Sequence, residues 1–301
     1  TAEYSFLVFF MTTFMVVKDN AFRPFFLNIS GQLWHAKKPV IVGVINLTPD
    51  SFYEGSISND KEILNRAESL IRDGSDWLDI GGCSTKPGSK IPDVNEEWNR
   101  LESGLTQVAK EFPEIPISID TFRSKIAERA IESGASIIND ISGGTIDPGI
   151  LDIVSKYKTP YVLTHFPKGK TPENMQDKAL GSEDVFPEVF KDLSYALERL
   201  RDKGIFDVLI DPGFGFGKEL ESNYRLLSNL NGFRELGHPI YVGISRKSML
   251  WKLLGSKPDE TLPATSAIHL YALQKGAQIL RVHDPKEAKQ VRLISETLNR
   301  R

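Results

Sequence analysis

The chain has 301 residues, of which 40% are hydrophobic and 26% are charged, enough to bury the core of one large α/β domain or of two small ones. Its net charge of -3 gives no global basic field, so we expect neither a nucleic-acid nor a membrane partner, and any anion site must be local. The single cysteine, Cys83, excludes an internal disulfide and a thiolate zinc cluster, and we expect a cytoplasmic location.

An apolar stretch begins near the start of the chain at residues 6–17, and it is too short to span a bilayer. No basic region precedes it and no clear small-residue cleavage site follows it, which disfavours a secretory signal. We therefore predict a short apolar N-terminal extension over residues 1–24, packed on the body or on a neighbouring molecule, and one domain over residues 25–301. That domain is predicted to begin with a hairpin over residues 25–34 that turns at Ser30-Gly31.

From residue 40 onward, predicted strands and helices alternate. The helical segments carry apolar residues at a spacing near 3.6, and no linker or break in composition marks a second domain. About eight strand–helix units predict a parallel sheet closed into a (β/α)8, or TIM, barrel. A doubly wound open sheet is the competing fold, although no GxGxxG follows the first strand. The predicted strands cover residues 40–46, 77–80, 115–119, 136–139, 161–164, 208–210, 240–243 and 279–281, and the predicted helices cover residues 61–72, 96–111, 124–132, 149–157, 184–203, 219–230, 261–275 and 285–297.

Polar side chains stand at or just after the end of each predicted strand. In a barrel these ends meet on one face, where catalytic groups collect. A single Asp or Asn at such a place is more simply explained as a helix cap or turn residue, but eight sites of mixed chemistry favour a functional face. The strand-end residues are Asn46, Asp79, the 81–86 segment, Asp120, Asn139, Asp140, His165, Asp211, Ser245, Arg246, Lys247, Arg281, His283 and Asp284.

These residues fall into two chemical sets. Carboxylates, an amide and an ammonium suit the donor–acceptor edge of a planar heterocycle such as an aminopyrimidine, and they occur at Asp120, Asn139, Asp211 and Lys247. Hydroxyls, cations and an amide oxygen suit a phosphate or diphosphate with Mg²⁺, and they occur at Asn46, Ser84, Thr85, Lys86, Arg281 and His283.

A glycine-rich loop, DPGFGFGK over residues 211–218, follows the sixth predicted barrel strand. Its glycines would let the backbone approach a ligand, and Phe214 or Phe216 could flank a flat ring. A flexible turn with core aromatics is the simpler alternative. No HExxH or comparable cluster indicates a zinc site.

At these positions the chain resembles the dihydropteroate synthase family of pterin-binding barrels, from about residue 27 to residue 298. The ordered motifs that carry the resemblance are VGVINLTPDSF (42–52), DIGGCSTKPG (79–88), SIDT (118–121), INDI (138–141), DPGFGFGK (211–218), SRKS (245–248) and RVHD (281–284). Three positions depart from the family pattern: Cys83 replaces an acidic residue, Lys86 replaces Arg, and THF at 164–166 replaces Met-His-Met.

The resemblance implies a transferase of folate biosynthesis that joins 6-hydroxymethyl-7,8-dihydropterin diphosphate to p-aminobenzoate, releasing diphosphate. It implies a homodimer, Mg²⁺ held through Asn46, and a diphosphate site at Asn46, Arg281 and His283. The implied catalytic residues are Asp120, Lys247, Arg281 and His283, and the implied substrate-binding residues are Asp120, Asn139, Asp211, Lys247, Thr85, Lys86, Ser245, Gly215 and Phe216.

Two other functions fit parts of the sequence. A methyltransferase acting on methyltetrahydrofolate beside a corrinoid protein would share the pterin residues, but it would need no diphosphate site at Arg281 and His283. A catalytically weak paralogue that binds pterin or a partner protein would fit the changes at Cys83 and Lys86.

Overall fold

The computed structural model describes residues 22–47, 58–83, 91–177, 179–181 and 185–299. The predicted extension lies outside the described residues up to residue 21, so the domain boundary at residue 24 stays a prediction. The turn-rich segment after the first barrel strand also lies outside them, as do the predicted site residues Ser84, Thr85 and Lys86.

A closed barrel of eight parallel strands forms the body of the protein, which confirms the predicted fold. The strands are β3 (Val40–Asn46), β4 (Trp77–Gly81), β5 (Ile117–Asp120), β6 (Ile137–Asp140), β7 (Tyr161–Thr164), β8 (Val208–Asp211), β9 (Tyr241–Val242) and β10 (Ile279–Val282). They pair in the order β8-β7-β6-β5-β4-β3-β10-β9. A parallel bridge between Ile210 and Ile240 joins the two ends of this sheet and closes the barrel.

Helices surround the barrel on its outer face. They are α1 (Ser58–Asp73), α2 (Val94–Glu111), α3 (Ser124–Glu132), α4 (Gly149–Tyr157), α5 (Val185–Asp202), α6 (Leu220–Ser228), α7 (Ser248–Leu254), α8 (Leu262–Gln274) and α9 (Pro285–Asn299). Two 3₁₀ helices, Leu230–Leu236 and Pro258–Glu260, complete the connections. Within the described part of the chain, no helix is both long enough and apolar enough to cross a membrane.

The barrel strands are buried on both faces because helices cover the outside and side chains fill the inside. Alternation along β3 shows the two environments. Ile41 and Ile45 belong to the core cluster that extends between the sheet and the helices, whereas Val40 and Val42 belong to a second cluster inside the barrel. Because successive side chains point to opposite faces, Asn46 points inward as Val42 does.

The N-terminal hairpin closes one end of the barrel. It consists of β1 (Phe25–Ile29) and β2 (Gln32–Ala36), paired antiparallel. Its apolar residues share the inner cluster with the first residues of several barrel strands, and the rings of Trp34 and Trp77 lie 5.0 Å apart. The hairpin therefore covers the inner cluster at the end where the strands begin, and the strand-end polar residues lie at the opposite end.

The structure differs from the sequence prediction in two elements. Helix α7 was not predicted, because seven residues are too few to show a helical period. Strand β9 has two residues rather than the predicted four, although Ile240 still accepts backbone hydrogen bonds from Gln278 and Ile279. The other predicted strands and helices are found with ends that differ from the prediction by at most three residues, and four of them have the predicted bounds.

Candidate functional site

The predicted strand-end residues meet at the open end of the barrel because of strand register. Asn46 on β3 lies opposite Gly81 on β4, Gly81 lies opposite Asp120 on β5, and Asp120 lies opposite Asn139 on β6. A side chain on Gly81 would place its Cβ 3.3 Å from the Cβ of Asp120. The glycine therefore leaves room between Asn46 and Asp120.

Several inward polar residues stand two positions after an inward apolar one. The apolar layer shared with the hairpin includes Trp77, Ile137, Leu209, Tyr241 and Ile279. Two residues further along the same strands come Asp79, Asn139, Asp211, Gly243 and Arg281. Because every second residue of a strand points into the barrel, these residues form a second, more polar layer directly above the apolar one.

Arg281 connects two carboxylates at the centre of this layer. Its Nε donates to Asp79 Oδ2 at 2.6 Å, and its Nη2 donates to Asp120 Oδ2 at 2.8 Å. Asp79 is fully buried and also accepts from Asn139 Nδ2 at 3.2 Å and from Ser118 Oγ at 2.5 Å. A buried carboxylate with this many donors is fixed in position by its hydrogen bonds.

Asp79 is a site residue that the sequence analysis noticed at a strand end but did not assign. Its partners come from β5, β6 and β10, and β10 lies about 200 residues away along the chain, so spacing gave no hint of them. The sequence assigned Arg281 to the anion set alone, and this assignment is incomplete. In the structure its guanidinium links Asp79 and Asp120, so the heterocycle set and the anion set adjoin at Arg281.

The ionisation of Asp120 is shifted by its surroundings. Burial raises the pKa of Asp120 to about 7, against the lowering effect of Arg281, while Asp79 adds to the rise. A carboxyl with a pKa in this range changes charge near neutral pH. Perturbed carboxyls of this kind gather at functional sites.

Lys247 sits over the glycine-rich loop on the other side of the mouth. Its Nζ donates to Phe214 O at 2.5 Å and lies 4.2 Å from the centroid of the Phe216 ring. Burial lowers the pKa of Lys247 to about 8, although the charge of Asp211 works in the opposite direction. Phe214 is fully buried and Phe216 is half-buried, so Phe216 is the ring available to flank a ligand.

Asp211 anchors the start of this loop. Its Oδ1 accepts from Gly213 N at 2.8 Å, and burial raises its pKa. Gly243, directly after strand β9, lies beside it, and a Cβ there would be 3.9 Å from Asp211 Oδ2 and 3.7 Å from Arg281 Cδ. The position after β9 thus contributes space rather than a side chain between Asp211 and Arg281.

Ser245 and His283 lie together at the same end of the barrel. The Ser245 Oγ is 3.1 Å from His283 Nδ1 and accepts from His283 N at 3.3 Å. The backbone of His283 is held in turn by Arg66, whose Nη2 donates to the His283 carbonyl at 3.2 Å. The structure therefore brings together Asn46, Asp120, Asn139, Asp211, Gly215, Phe216, Ser245, Lys247, Arg281 and His283 around the open end of the barrel.

Both flanks of the 84–90 segment are fixed by side chains from outside it. Arg100 Nη1 donates to Gly82 O at 3.0 Å on one side, and Arg123 Nη2 donates to Pro92 O at 2.6 Å on the other. Arg123 is paired with the fully buried Glu97, which also accepts from Thr121 Oγ1 at 2.8 Å. Glu97, Arg100 and Arg123 were not predicted from the sequence because they stand in α2 and after β5, outside every motif, whereas Thr121 ends the SIDT motif without an assigned role.

Cys83 is a buried thiol beside this cluster. Burial raises its pKa to about 12, and the charges of Glu97 and Asp120 add to the rise. Because the thiolate is the reactive form of cysteine, this burial disfavours Cys83 as a nucleophile at neutral pH.

The described residues contain no group of three or more His, Cys, Asp or Glu side chains arranged to hold a metal ion. The half-buried Asn46 offers an amide oxygen at the barrel mouth, while Asp79 and Asp120 are already paired with Arg281. This donor set fits a Mg²⁺ ion that keeps several ligands from water and a bound phosphate, which is the usual mode for that ion.

Comparison with known proteins agrees with the geometry. The family model described as "Pterin binding enzyme" matches residues 42–283 of this chain. The dihydropteroate synthase of Bacillus subtilis is 34% identical over 273 residues, covering 89% of this chain and 92% of the relative. That of Escherichia coli K12 is 38% identical over 265 residues, covering 87% and 92% respectively.

Solved structures show the same similarity in three dimensions. The Yersinia pestis dihydropteroate synthase, described with a sulfonamide drug complex, superimposes with a TM-score of 0.84 at 34% identity and covers 91% of this chain and 99% of its own. The Xanthomonas albilineans dihydropteroate synthase with 4-aminobenzoic acid gives a TM-score of 0.82 at 33% identity, covering 91% and 97%.

Proposed function

This chain belongs to the family of pterin-binding enzymes and is similar over most of its length to dihydropteroate synthases, and from that membership we propose how its own residues divide the reaction. The chain is a transferase of folate biosynthesis that condenses 6-hydroxymethyl-7,8-dihydropterin diphosphate with p-aminobenzoate, giving 7,8-dihydropteroate and diphosphate. The observation that carries the residue assignment is the polar layer around Arg281, where Asp79 and Asp120 meet one guanidinium.

The pterin ring is proposed to lie between the Arg281 cluster and the glycine-rich loop. Asp120, Asn139 and Asp211 present carboxylate and amide groups that can pair with an aminopyrimidine edge. The aliphatic stem and ammonium of Lys247 lie beside the half-buried ring of Phe216, which gives one flat apolar surface for the heterocycle. This arrangement supports a pocket that is polar at its edge and aromatic on one face.

The diphosphate is proposed to lie against Asn46, Arg281 and His283, with p-aminobenzoate nearer to Thr85 and Lys86. Arg281 is central because it can form two parallel hydrogen bonds with an anion. When bound, Mg²⁺ on Asn46 would supply positive charge to the diphosphate. The residue Ser245 holds the His283 ring, at 3.1 Å from Nδ1, and so orients its other nitrogen.

The proposed mechanism relies on charge and position instead of a covalent intermediate. The raised pKa of Cys83, about 12, disfavours a thiolate nucleophile near the mouth and so supports this mechanism. We infer that the C–O bond to the diphosphate breaks first, Arg281 and His283 stabilising the departing anion and Asp120 supporting the cationic pterin. The amine of p-aminobenzoate then forms the C–N bond with the exposed methylene carbon.

The test is release of diphosphate from the dihydropterin diphosphate by the purified protein, with and without p-aminobenzoate and Mg²⁺. We expect turnover that requires all three components. Tight pterin binding without any turnover would instead support the catalytically weak paralogue.

We also propose a homodimer formed by the last two helices. Large apolar side chains are exposed there at Tyr271 on α8 and at Leu293, Ile294 and Leu298 on α9, with Leu298 60% exposed. Neighbouring exposed apolar residues mark interaction surfaces, and a second copy presents the matching surface by symmetry. The double change Leu293→Lys with Leu298→Lys should give a monomer in sedimentation, while Leu33→Lys on the exposed hairpin should not. A double variant that still sediments as a dimer would contradict this interface.

The cytoplasmic location stays a prediction. It is supported by the single cysteine of the sequence, which excludes an internal disulfide.

A further inference from the structure

The glycine-rich loop is held by an unusually complete set of donors. All five carbonyl groups from Gly213 to Gly217 accept a hydrogen bond from outside the run. The donors, in chain order of the carbonyls, are Lys218 Nζ, Lys247 Nζ, Gln176 Nε2, Lys218 Nζ again and Leu180 N. Lys247 was predicted as a site residue, whereas Lys218 ended a motif without receiving a role.

Lys218 is a buried amine beneath this loop, with 4% of its surface exposed, and burial lowers its pKa to about 7. Its Nζ lies 2.8 Å from Gly213 O, 3.1 Å from Phe216 O and 3.0 Å from His165 Nδ1. An ammonium has three hydrogens to donate, and these three acceptors use all of them. A buried ammonium held in this way is fixed in position, because losing any partner leaves a donor unsatisfied.

His165 must be neutral to fill this role. Its Nδ1 accepts from Lys218, so its single proton lies on Nε2, which faces Asp192 Oδ2 at 3.5 Å. Burial and the neighbouring charge of Lys218 lower the pKa of His165 to about 4. Asp192 is in turn paired with Lys168 at 2.5 Å, whose side chain is 74% exposed. Lys218, His165 and Asp192 therefore form a row of successive contacts that connects the underside of the loop to the exposed Lys168.

The first glycine of the loop has no room for a side chain. Gly213 has a φ of +73°, and a Cβ there would lie 2.1 Å from the carbonyl oxygen of His165. The backbone of His165 thus presses on one side of the loop while its ring supports Lys218 below. The position of Phe216, whose carbonyl is bound by Lys218 and whose ring lies under Lys247, depends on this support.

We propose that the Lys218–His165–Asp192 row is a positioning device for pterin binding, which sets the Phe216 ring through the Gly213 and Phe216 carbonyl groups, from the side opposite to the ligand. The proposal rests on the pterin pocket assigned above. Lys218 is a positioning residue and not a catalytic one, because it lies behind the loop and acts through the carbonyl groups of the loop. The diphosphate end of the site, at Asn46 and His283, lies outside the influence of this row.

The test compares two ligands on one protein by calorimetry: 6-hydroxymethylpterin for the pocket and inorganic diphosphate with Mg²⁺ for the anion end. Lys218→Met keeps the length of the side chain and removes its donors. We expect the pterin Kd to rise about tenfold or more, while the diphosphate Kd changes less than about twofold. In turnover, KM for the pterin substrate should rise and KM for p-aminobenzoate should stay constant.

A milder variant covers the case in which Lys218→Met fails to fold. Asp192→Ala removes the acceptor that orients His165 and lies only partly buried on α5. It should weaken pterin binding about threefold, with the wild-type diphosphate affinity retained. Lys168→Ala removes only the exposed partner of Asp192 and is the matched control, expected to bind both ligands normally.

Equal pterin affinity in the wild type and in Asp192→Ala would overturn the proposal, as would a parallel loss of pterin and diphosphate binding in either variant. Failure of the unchanged protein to bind any pterin would contradict the proposed function itself, and that outcome is distinct from both.

Discussion

At the scale of single residues, the contact between Asp120 and Arg281 defines the centre of the site. The carboxylate lies 2.8 Å from Nη2 and keeps 15% of its side chain exposed at the mouth. Asp120 is therefore close enough to Arg281 to form an ion pair and exposed enough to contact a ligand. Neither property depends on the packing of the core.

Replacing Asp120 by Asn should lower kcat by about 100-fold or more, because removing one well-placed charge from an active site has effects of that size. The fold should persist, with Asp79 still paired to Arg281. Steady-state kinetics and a thermal melt measure the two effects. Asp152→Asn on α4, whose side chain is 69% exposed, is the control. Near-normal turnover in the Asp120 variant would refute the assigned role.

The dependence of activity on pH follows from two shifted groups. Asp120 must lose its proton to act as an acceptor, with a pKa of about 7, and Lys247 must keep its proton to act as a cation, with a pKa of about 8. We expect kcat/KM for the pterin substrate to rise through the first value and to fall through the second. Lys247→Met should reduce the alkaline fall without abolishing it, because burial also lowers the pKa of Lys218, which supports the glycine-rich loop, to about 7. A profile that is flat from about pH 6 to about pH 9 would contradict both roles.

At the scale of elements, the glycine-rich loop after β8 contains a glycine that is required for two reasons: its positive φ and the close approach of another backbone segment. Gly204 and Gly213 have almost the same φ, +72° and +73°. A Cβ at Gly204 meets nothing within 4 Å, whereas one at Gly213 collides with the His165 carbonyl. The two glycines form a matched pair in which only the surroundings differ.

Gly204→Ala should cost about 1 kcal/mol of stability, the usual strain of a left-handed residue with a side chain. Gly213→Ala should cost roughly 2 kcal/mol more, because the loop must move away from β7. It should also weaken pterin binding, while Gly204→Ala should not. Denaturant melts and pterin titrations measure both quantities. Equal effects on stability and binding would show that the close approach at Gly213 is unimportant.

At the scale of the whole molecule, stability in acid depends on histidines that are buried without charge. His269 on α8 is 2% exposed, and burial lowers its pKa to about 4 against an ordinary value of 6.5. The unfolded chain therefore binds more protons than the folded one between these values. Stability from this group is complete above about pH 6.5 and declines as the pH falls toward 4.

Removing this group should flatten the acid limb of the stability curve. Between pH 6.5 and pH 4, the free energy of unfolding should fall by up to about 3 kcal/mol less in His269→Phe than in the wild type, because the pKa shift of His269 is linked to stability. Urea unfolding at several pH values measures the slope. His35→Gln, on the exposed hairpin, should keep the wild-type slope. An unchanged slope in the His269 variant would place the acid sensitivity elsewhere, for example at His165.

The sequence by itself determined the barrel and the composition of its mouth. Alternating strand and helix patterns require a parallel sheet, and the ends of parallel strands meet on one face. Polar residues such as Asn46, Asn139 and Asp211 could therefore be assigned to one site before any contact was known. Residues 84–86, whose role in the site was also predicted, lie outside the described part of the chain and stay predictions.

Only the tertiary structure decided which of these groups touch. Arg281 pairs with Asp79 across 202 positions of sequence, and Lys218 meets His165 across 53. Contacts of this kind depend on how the barrel closes and on which residues of neighbouring strands share a register. A linear pattern records the period of each strand, but it carries no information about the register between strands, and that register sets the site.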